Sequence, residues 1–199
     1  MTEAFPDVKI ANFRIDLNEN KARFESPFTR RRQVITLGAG TSDRWEGVIT
    51  TPELYPADVQ KVMNWMVKVG LYGLFTMPHP DYKGAASGEL AGEVNGSGQS
   101  GNSLVVDGVS PNTLILREGE WFQVRNEFKR ATADCTSDGD GEVVLVFKPA
   151  LRVSPTDDDP VNFSSPKILC ELLTPPSEDT NHLGMQSFQI AWQEAFSSE

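Results

Sequence analysis

One stretch of this chain, and one only, carries a helical stripe. Val59, Val62, Met63, Met66 and Val69 recur at helical spacing, with Gln60, Lys61, Asn64 and Lys68 on the other face. Pro56 suits a first turn, Asp58 favours the positive end of the helix dipole, and Gly70 suits the position after the last turn. Trp65 lies beside the stripe and widens it. The spacing predicts a helix over 56–69, and core packing accounts for its methionines. Elsewhere the apolar residues come in short runs cut by Gly, Pro, Asn and Asp, a pattern that strands produce and helices do not.

The strands follow from those runs. Phe13 to Leu17 alternates with period two, Gln33 to Leu37 is β-branched and stops at Gly38-Ala39-Gly40, and Arg44 to Thr50 carries Trp45 on one face. These three predict a small antiparallel sheet. Leu71 to Met77 reads as a buried strand that Pro78-His79-Pro80 ends. Residues 83–103, rich in Gly, Ser and Asn, read as a long loop or a weak hairpin. Ser103 to Gly108 is a strand and turn. Thr113 to Arg117 is expected to pair with Trp121 to Val124 across Glu118-Gly119-Glu120, and Phe128 to Ala133 to continue that ladder. Val143 to Phe147 is apolar throughout, which predicts burial on both faces, with Pro149 closing the strand. Residues 153–166 read as a polar loop or linker. Ile168 to Leu173 is a strand ended by Pro175-Pro176. In the last strand Phe188, Ile190 and Trp192 alternate with polar neighbours. The expected fold is mainly β, an antiparallel two-sheet sandwich or barrel with one flanking helix. Its core is expected over 1–155. Residues 156–199 are a polar linker and strands that complete the same domain or contact a neighbour.

Charge narrows the function. The 199 residues carry 28 acidic and 18 basic side chains, a net charge of −10, which disfavours nucleic-acid binding. The one basic run is Arg30-Arg31-Arg32, either a solvated turn or a patch for an acidic partner. Acids cluster at Asp138, Asp140 and Glu142, at Asp157-Asp158-Asp159 and at Glu178-Asp179. A basic run in the first third and acidic clusters in the second half would suit subunits that stack head to tail. No apolar run approaches the roughly 18 residues of a membrane span. The first residues lack the basic and apolar regions of a secretory signal. Cys135 and Cys170 are too few for a disulfide scaffold and read as small buried hydrophobes, so a reducing cytoplasm is expected.

Catalytic and metal signatures are absent from the sequence. His79 and His182 sit among turn residues, and no nucleophile elbow accompanies them. No CxxC, HxxxH or HExxH spacing occurs. Asp138-Gly139-Asp140-Gly141-Glu142 resembles a calcium loop only faintly and reads as a hairpin turn. The Gly-rich stretch lacks the Lys of a phosphate loop. Trp45, Trp121 and Trp192 fall where core packing explains them. No catalytic residue, metal or cofactor is expected.

The order of several short features resembles a family of phage and prophage tail proteins, the distal tail proteins and their relatives. These features are Ser26-Pro27-Phe28-Thr29-Arg30, then Arg44-Trp45-Glu46-Gly47, then the helix running into Gly70-Leu71-Tyr72-Gly73-Leu74-Phe75. Leu116-Arg117-Glu118-Gly119-Glu120-Trp121-Phe122 follows, then Asp140-Gly141-Glu142 and Pro149-Ala150-Leu151-Arg152. The likeness spans about 12–152 and, more loosely, Phe188 to Phe196; it does not extend to 153–186.

The resemblance implies a tail-tube-like fold assembled as a homo-oligomeric ring, six copies by analogy, in the virion tail. Such a ring joins the tail tube to the tail hub or baseplate, is assembled in the host cytoplasm, and lets DNA pass without binding it specifically. Carboxylates lining the lumen would repel phosphate over a Debye length of about 8–10 Å. The candidate interface residues are Arg30, Arg31, Arg32, Asp157, Asp158, Asp159, Phe188, Ile190 and Trp192. The loop at 83–103 and the last strand are the expected contact segments, against a monomer whose last strand completes its own sheet. Two alternatives stay open. One is a carbohydrate-binding β-sandwich, which needs aromatics exposed on one face. The other is a β-fold glycoside hydrolase, which needs two acids about 5–10 Å apart in a groove.

Overall fold

The computed structural model describes residues 2–19, 21–25, 29, 32–36, 42–71, 73–180 and 185–196. Arg30, Arg31, His182 and the glycines expected to stop the Gln33–Leu37 strand lie outside them. Among the described residues the chain is mainly β with one helix, and it contains a closed six-stranded barrel. It divides into two compact units. Met1–Asp16, Trp45–Tyr82 and Ser165–Glu199 make the first; Leu17–Arg44 and Lys83–Ser164 make the second. This division differs from a single core over 1–155: the chain leaves the first unit twice and returns to it at Ser165.

The first unit is a sheet of strands β1 (Glu3–Ala4), β2 (Asn12–Asn18), β5 (Arg44–Thr50), β6 (Leu74–Pro78), β15 (Lys167–Leu172), β16 (Ser177–Thr180) and β17 (Gln186–Glu194). Their order is β1-β6-β15-β17-β5-β2, and β16 also pairs with β17. One face is apolar because period-two alternation brings Ile49, Phe75, Met77, Cys170, Phe188, Ile190 and Trp192 to the same side. Helix α1 (Pro56–Val69) covers that face as the stripe requires. Trp65 is buried rather than marginal, meeting Phe75 edge-on at 5.0 Å and Phe5 at 5.2 Å. Met63 and Met66 are half-buried. Gly70 closes the helix at φ 61, and its N–H reaches the Met66 carbonyl at 2.9 Å.

Gly47 explains how the edge strand β2 sits. A Cβ there would lie 1.9 Å from the Arg14 carbonyl oxygen and 3.0 Å from Trp192. Only glycine lets the two backbones approach so closely. Pro175 and Pro176 interrupt this sheet without ending it. The chain resumes as β16, and Ser177 to Thr180 pair with Gln189 to Gln186.

The second unit holds the barrel, closed in the order β10-β11-β13-β8-β7-β14. Its strands are β7 (Ala91–Val94), β8 (Gly101–Asp107), β10 (Trp121–Val124), β11 (Glu127–Ala131), β13 (Val143–Leu151) and β14 (Pro160–Asn162). Leu104, Val106, Phe122, Leu145, Phe147, Val161 and Phe163 fill the interior, with Phe122 edge-on to Phe147 at 5.4 Å. Strands β3 (Lys21–Glu25) and β4 (Arg32–Thr36) form a separate two-stranded ribbon, not part of one sheet with β2 and β5 as expected.

Four expectations fail in the barrel. The run Thr113 to Arg117 does not pair with Trp121 to Val124. Its core, β9 (Leu114–Leu116), pairs with β12 (Cys135–Thr136), while β10 pairs with β11 and β14. The Gly119 N–H bonds to the Ala131 carbonyl at 2.9 Å, so the turn after β9 directs the chain toward β11. Next, Val143 to Phe147 is not buried on both faces. Val143, Leu145 and Phe147 point inward, whereas Val144 and Val146 are 51% and 40% exposed on the outer wall. A barrel strand has one dry face only. Third, β13 continues through Pro149 to Leu151, with a register shift after Val146. Finally, 153–166 is no plain linker, because Pro160–Asn162 closes the barrel between β7 and β10. The Gly-rich loop is ordered too: Gln99 donates to the Asn95, Gly96 and Val105 carbonyls and accepts the Val105 N–H.

Candidate functional site

The expected interface residues fall into three different environments. Phe188, Ile190 and Trp192 are fully buried in the first unit, where β17 pairs with β5 and β15. They make core, not contact surface; strict alternation reads the same for either. Arg32 begins β4, and only its backbone is described. Asp157 and Asp158 are exposed and Asp159 is half-buried.

The three aspartates build a turn against β7. The Val94 N–H bonds to the Asp159 carbonyl, and the Asp158 N–H to the Val94 carbonyl, both at 3.0 Å. The Asp159 carboxylate accepts the Thr156 N–H at 2.7 Å and faces Arg125 at 3.8 Å. The loop after β7 then joins this turn to the other acidic turn. Asn95 donates to the Glu142 carboxylate at 2.6 Å, and the Gly96 N–H to Asp157 at 2.7 Å. Two acidic clusters some fifteen residues apart in sequence thus meet across one loop. Asp138 accepts the N–H groups of Asp140 and Glu142, and these bonds hold its carboxyl below its ordinary range. It therefore acts as a turn residue.

Sequence reading missed a charge cluster inside the barrel. The Lys129 side chain is fully buried, with Nζ 2.6 Å from Glu127 Oε2 and 2.8 Å from the Ala150 carbonyl. It also lies 5.8 Å from the centre of the Phe147 ring. Glu127 accepts the N–H groups of Arg152 and Val153, and the Arg152 guanidinium approaches it at 3.9 Å. Burial pushes the Glu127 carboxyl up, but Lys129 and the two N–H groups outweigh burial and hold it below its ordinary range. The cluster ties the β10–β11 hairpin to the end of β13. Only the even spacing of Glu127, Lys129 and Ala131 with Phe147 across the ladder could have revealed it.

The chemistry-bearing residues are dispersed. His79, half-buried, lies edge-on to Phe13 at 4.9 Å and accepts the Asp81 N–H at 3.3 Å through Nδ1. Cys135 and Cys170 are buried and free. Trp45, Trp65, Trp121 and Trp192 are all buried, so none offers a platform for a sugar. A groove of about 200 Å³ on the polar face of the sheet is lined by Arg14, Asp16, Glu46, Gly47, Val48, Leu173 and Ala191. Its Asp16 is paired with Arg14 at 2.6 Å, and both side chains are open to solvent. A second groove of about 210 Å³, lined by Phe5, Pro6, Val8, Ile10, Met77 and the prolines around His79, holds Asp7 as its one charged group. Among the described residues, no three acid, His or Cys side chains converge as metal ligands. No family model matches the chain, and no curated protein matches it.

Proposed function

We propose that the chain is a structural component of a phage tail, an adaptor ring between tail tube and tail tip that forms part of the DNA channel. The observation that carries the reading is the β3–β4 ribbon. Val34 and Ile35 are neighbours in β4 and so point to opposite faces, yet they are 52% and 41% exposed. An isolated two-stranded ribbon is marginal in water, and apolar side chains on both faces favour a ribbon that subunit contacts cover. The acidic turns joined by Asn95 and Gly96 supply a surface that repels phosphate. The ordered sequence resemblance points the same way. In this role the protein works by assembly, binding its own copies, a tail-tube protein and a hub or baseplate protein, without catalysis.

The test is assembly of wild type against a V34K/I35K variant, imaged by negative stain alone and with a tail-tube protein. Open-centred rings for wild type, lost in the variant while its melting temperature holds, support the reading. Rings unaffected by the variant, or none with either sample, count against it.

A further inference from the structure

We infer that the outer wall of the barrel carries a self-complementary face through which two copies of this chain meet about a two-fold axis. The face lies along β13 and β8. Val144 and Val146 are 51% and 40% exposed, and half-buried Val105 stands opposite Val144. Lys148, two residues beyond Val146, points to the same side, with its side chain 57% exposed. At the other end Asp107 lies one step past the Val106–Val143 pair, and Glu93 stands directly across from it on β7.

Two features point to a basic partner at the acidic end. Directly opposed like charges on neighbouring strands are unfavourable, and Glu93 and Asp107 are such a pair. A cation placed over this pair would relieve the repulsion, and this same face carries one at its other end. Among the described residues the one acidic partner of Lys148 is Glu19, at 3.5 Å on the surface, a contact of little worth, and Arg130 stands across the ladder from it.

The spacing makes the face its own complement. Leu145 lies midway, with valines one step to either side of it. Lys148 and the level of Asp107 each lie three steps away, about 10 Å at roughly 3.3 Å per residue. A second copy rotated by a half-turn about an axis through that midpoint sets valines on valines. It also brings each Lys148 to the acidic end of the other copy, at the level of Glu142, with Asp107 one strand, about 4.8 Å, to the side. Sheets pack face to face about 10 Å apart, within reach of lysine and carboxylate side chains. A contact of this kind is isologous, whereas a ring closes through heterologous ones, so the inference does not depend on the tail reading.

The experiment is sedimentation velocity on wild type, D107K, K148E and an equimolar mixture of the two variants, at low and high salt. Wild type is expected to self-associate more weakly at high salt. Each single reversal is expected to weaken association at least tenfold. The mixture is expected to regain it, because Lys148 of one variant meets Asp107 of the other while Lys at 107 meets Glu at 148. Circular dichroism melts confirm that both variants fold. A wild type that stays monomeric at its highest soluble concentration overturns the inference. So does a reversal without effect, or a mixture that fails to recover. Absence of open-centred rings bears on the tail reading alone.

Discussion

Lys129 Nζ lies 2.6 Å from Glu127 Oε2 inside a barrel otherwise filled with valine, leucine and phenylalanine. Removing one partner leaves a buried charge alone, which typically costs about 3–5 kcal/mol. Lys129→Ala is therefore expected to lower barrel stability by about that much in urea unfolding. The double variant K129M/E127Q, which removes both charges, is expected to lose clearly less. Equal losses would mean that packing, not charge pairing, sets the cost.

The same pair makes stability depend on pH. The Glu127 carboxyl is held below its ordinary range in the folded chain. Its contribution is complete above about the unfolded value of 4.3 and is lost as pH falls through the folded value. Denaturation midpoints measured from pH 6 downward should decline below about pH 4.5. E127Q should show a shallower decline over that interval, and a slope matching wild type would remove Glu127 as its source.

Gly47→Ala tests the close approach of β2 and β5. Its Cβ would overlap the Arg14 carbonyl, so the edge strand must shift. The expected loss is about 1–3 kcal/mol or more, as for overpacking. Gly139→Ala meets nothing closer than 4.0 Å and is expected to stay within about 0.5 kcal/mol of wild type. Thermal melts of the two side by side give the comparison.

The thiols offer a fourth test. Burial pushes the Cys135 thiol up, and burial followed by the Glu194 charge pushes Cys170 well up. Both are expected to resist a thiol reagent at pH 8 and to react together once denaturant unfolds the chain. Rapid labelling of Cys170 in the native protein would contradict its place between β6 and β17.

Local signals in the sequence decided what could be read from it. The helix was legible to its end residues, because the stripe, Pro56 and Gly70 all act within one or two turns. Strand β5 and the alternation of β17 were equally plain. The barrel was not, because its closure rests on three residues, Pro160–Asn162, pairing with strands far away in sequence. Its real hairpin turns at Arg125-Asn126, where Arg125 takes φ 52 without the glycine that marks such turns. Glycine at 119 drew the expected hairpin to the wrong place. Among the candidate contact residues, Phe188, Ile190 and Trp192 failed because an amphipathic strand looks alike whether its dry face meets a neighbour or its own helix. Asp157 to Asp159 were found as a charged surface turn, but their link to Glu142 through Asn95 is tertiary.

Assembly is the central claim, and mass in solution tests it most directly. Light scattering followed by negative-stain imaging should show a closed ring of several copies with an open centre, formed alone or on a tail-tube partner. A chain that stays at 22.0 kDa at every concentration, and captures neither tail-tube nor baseplate protein, would contradict the account.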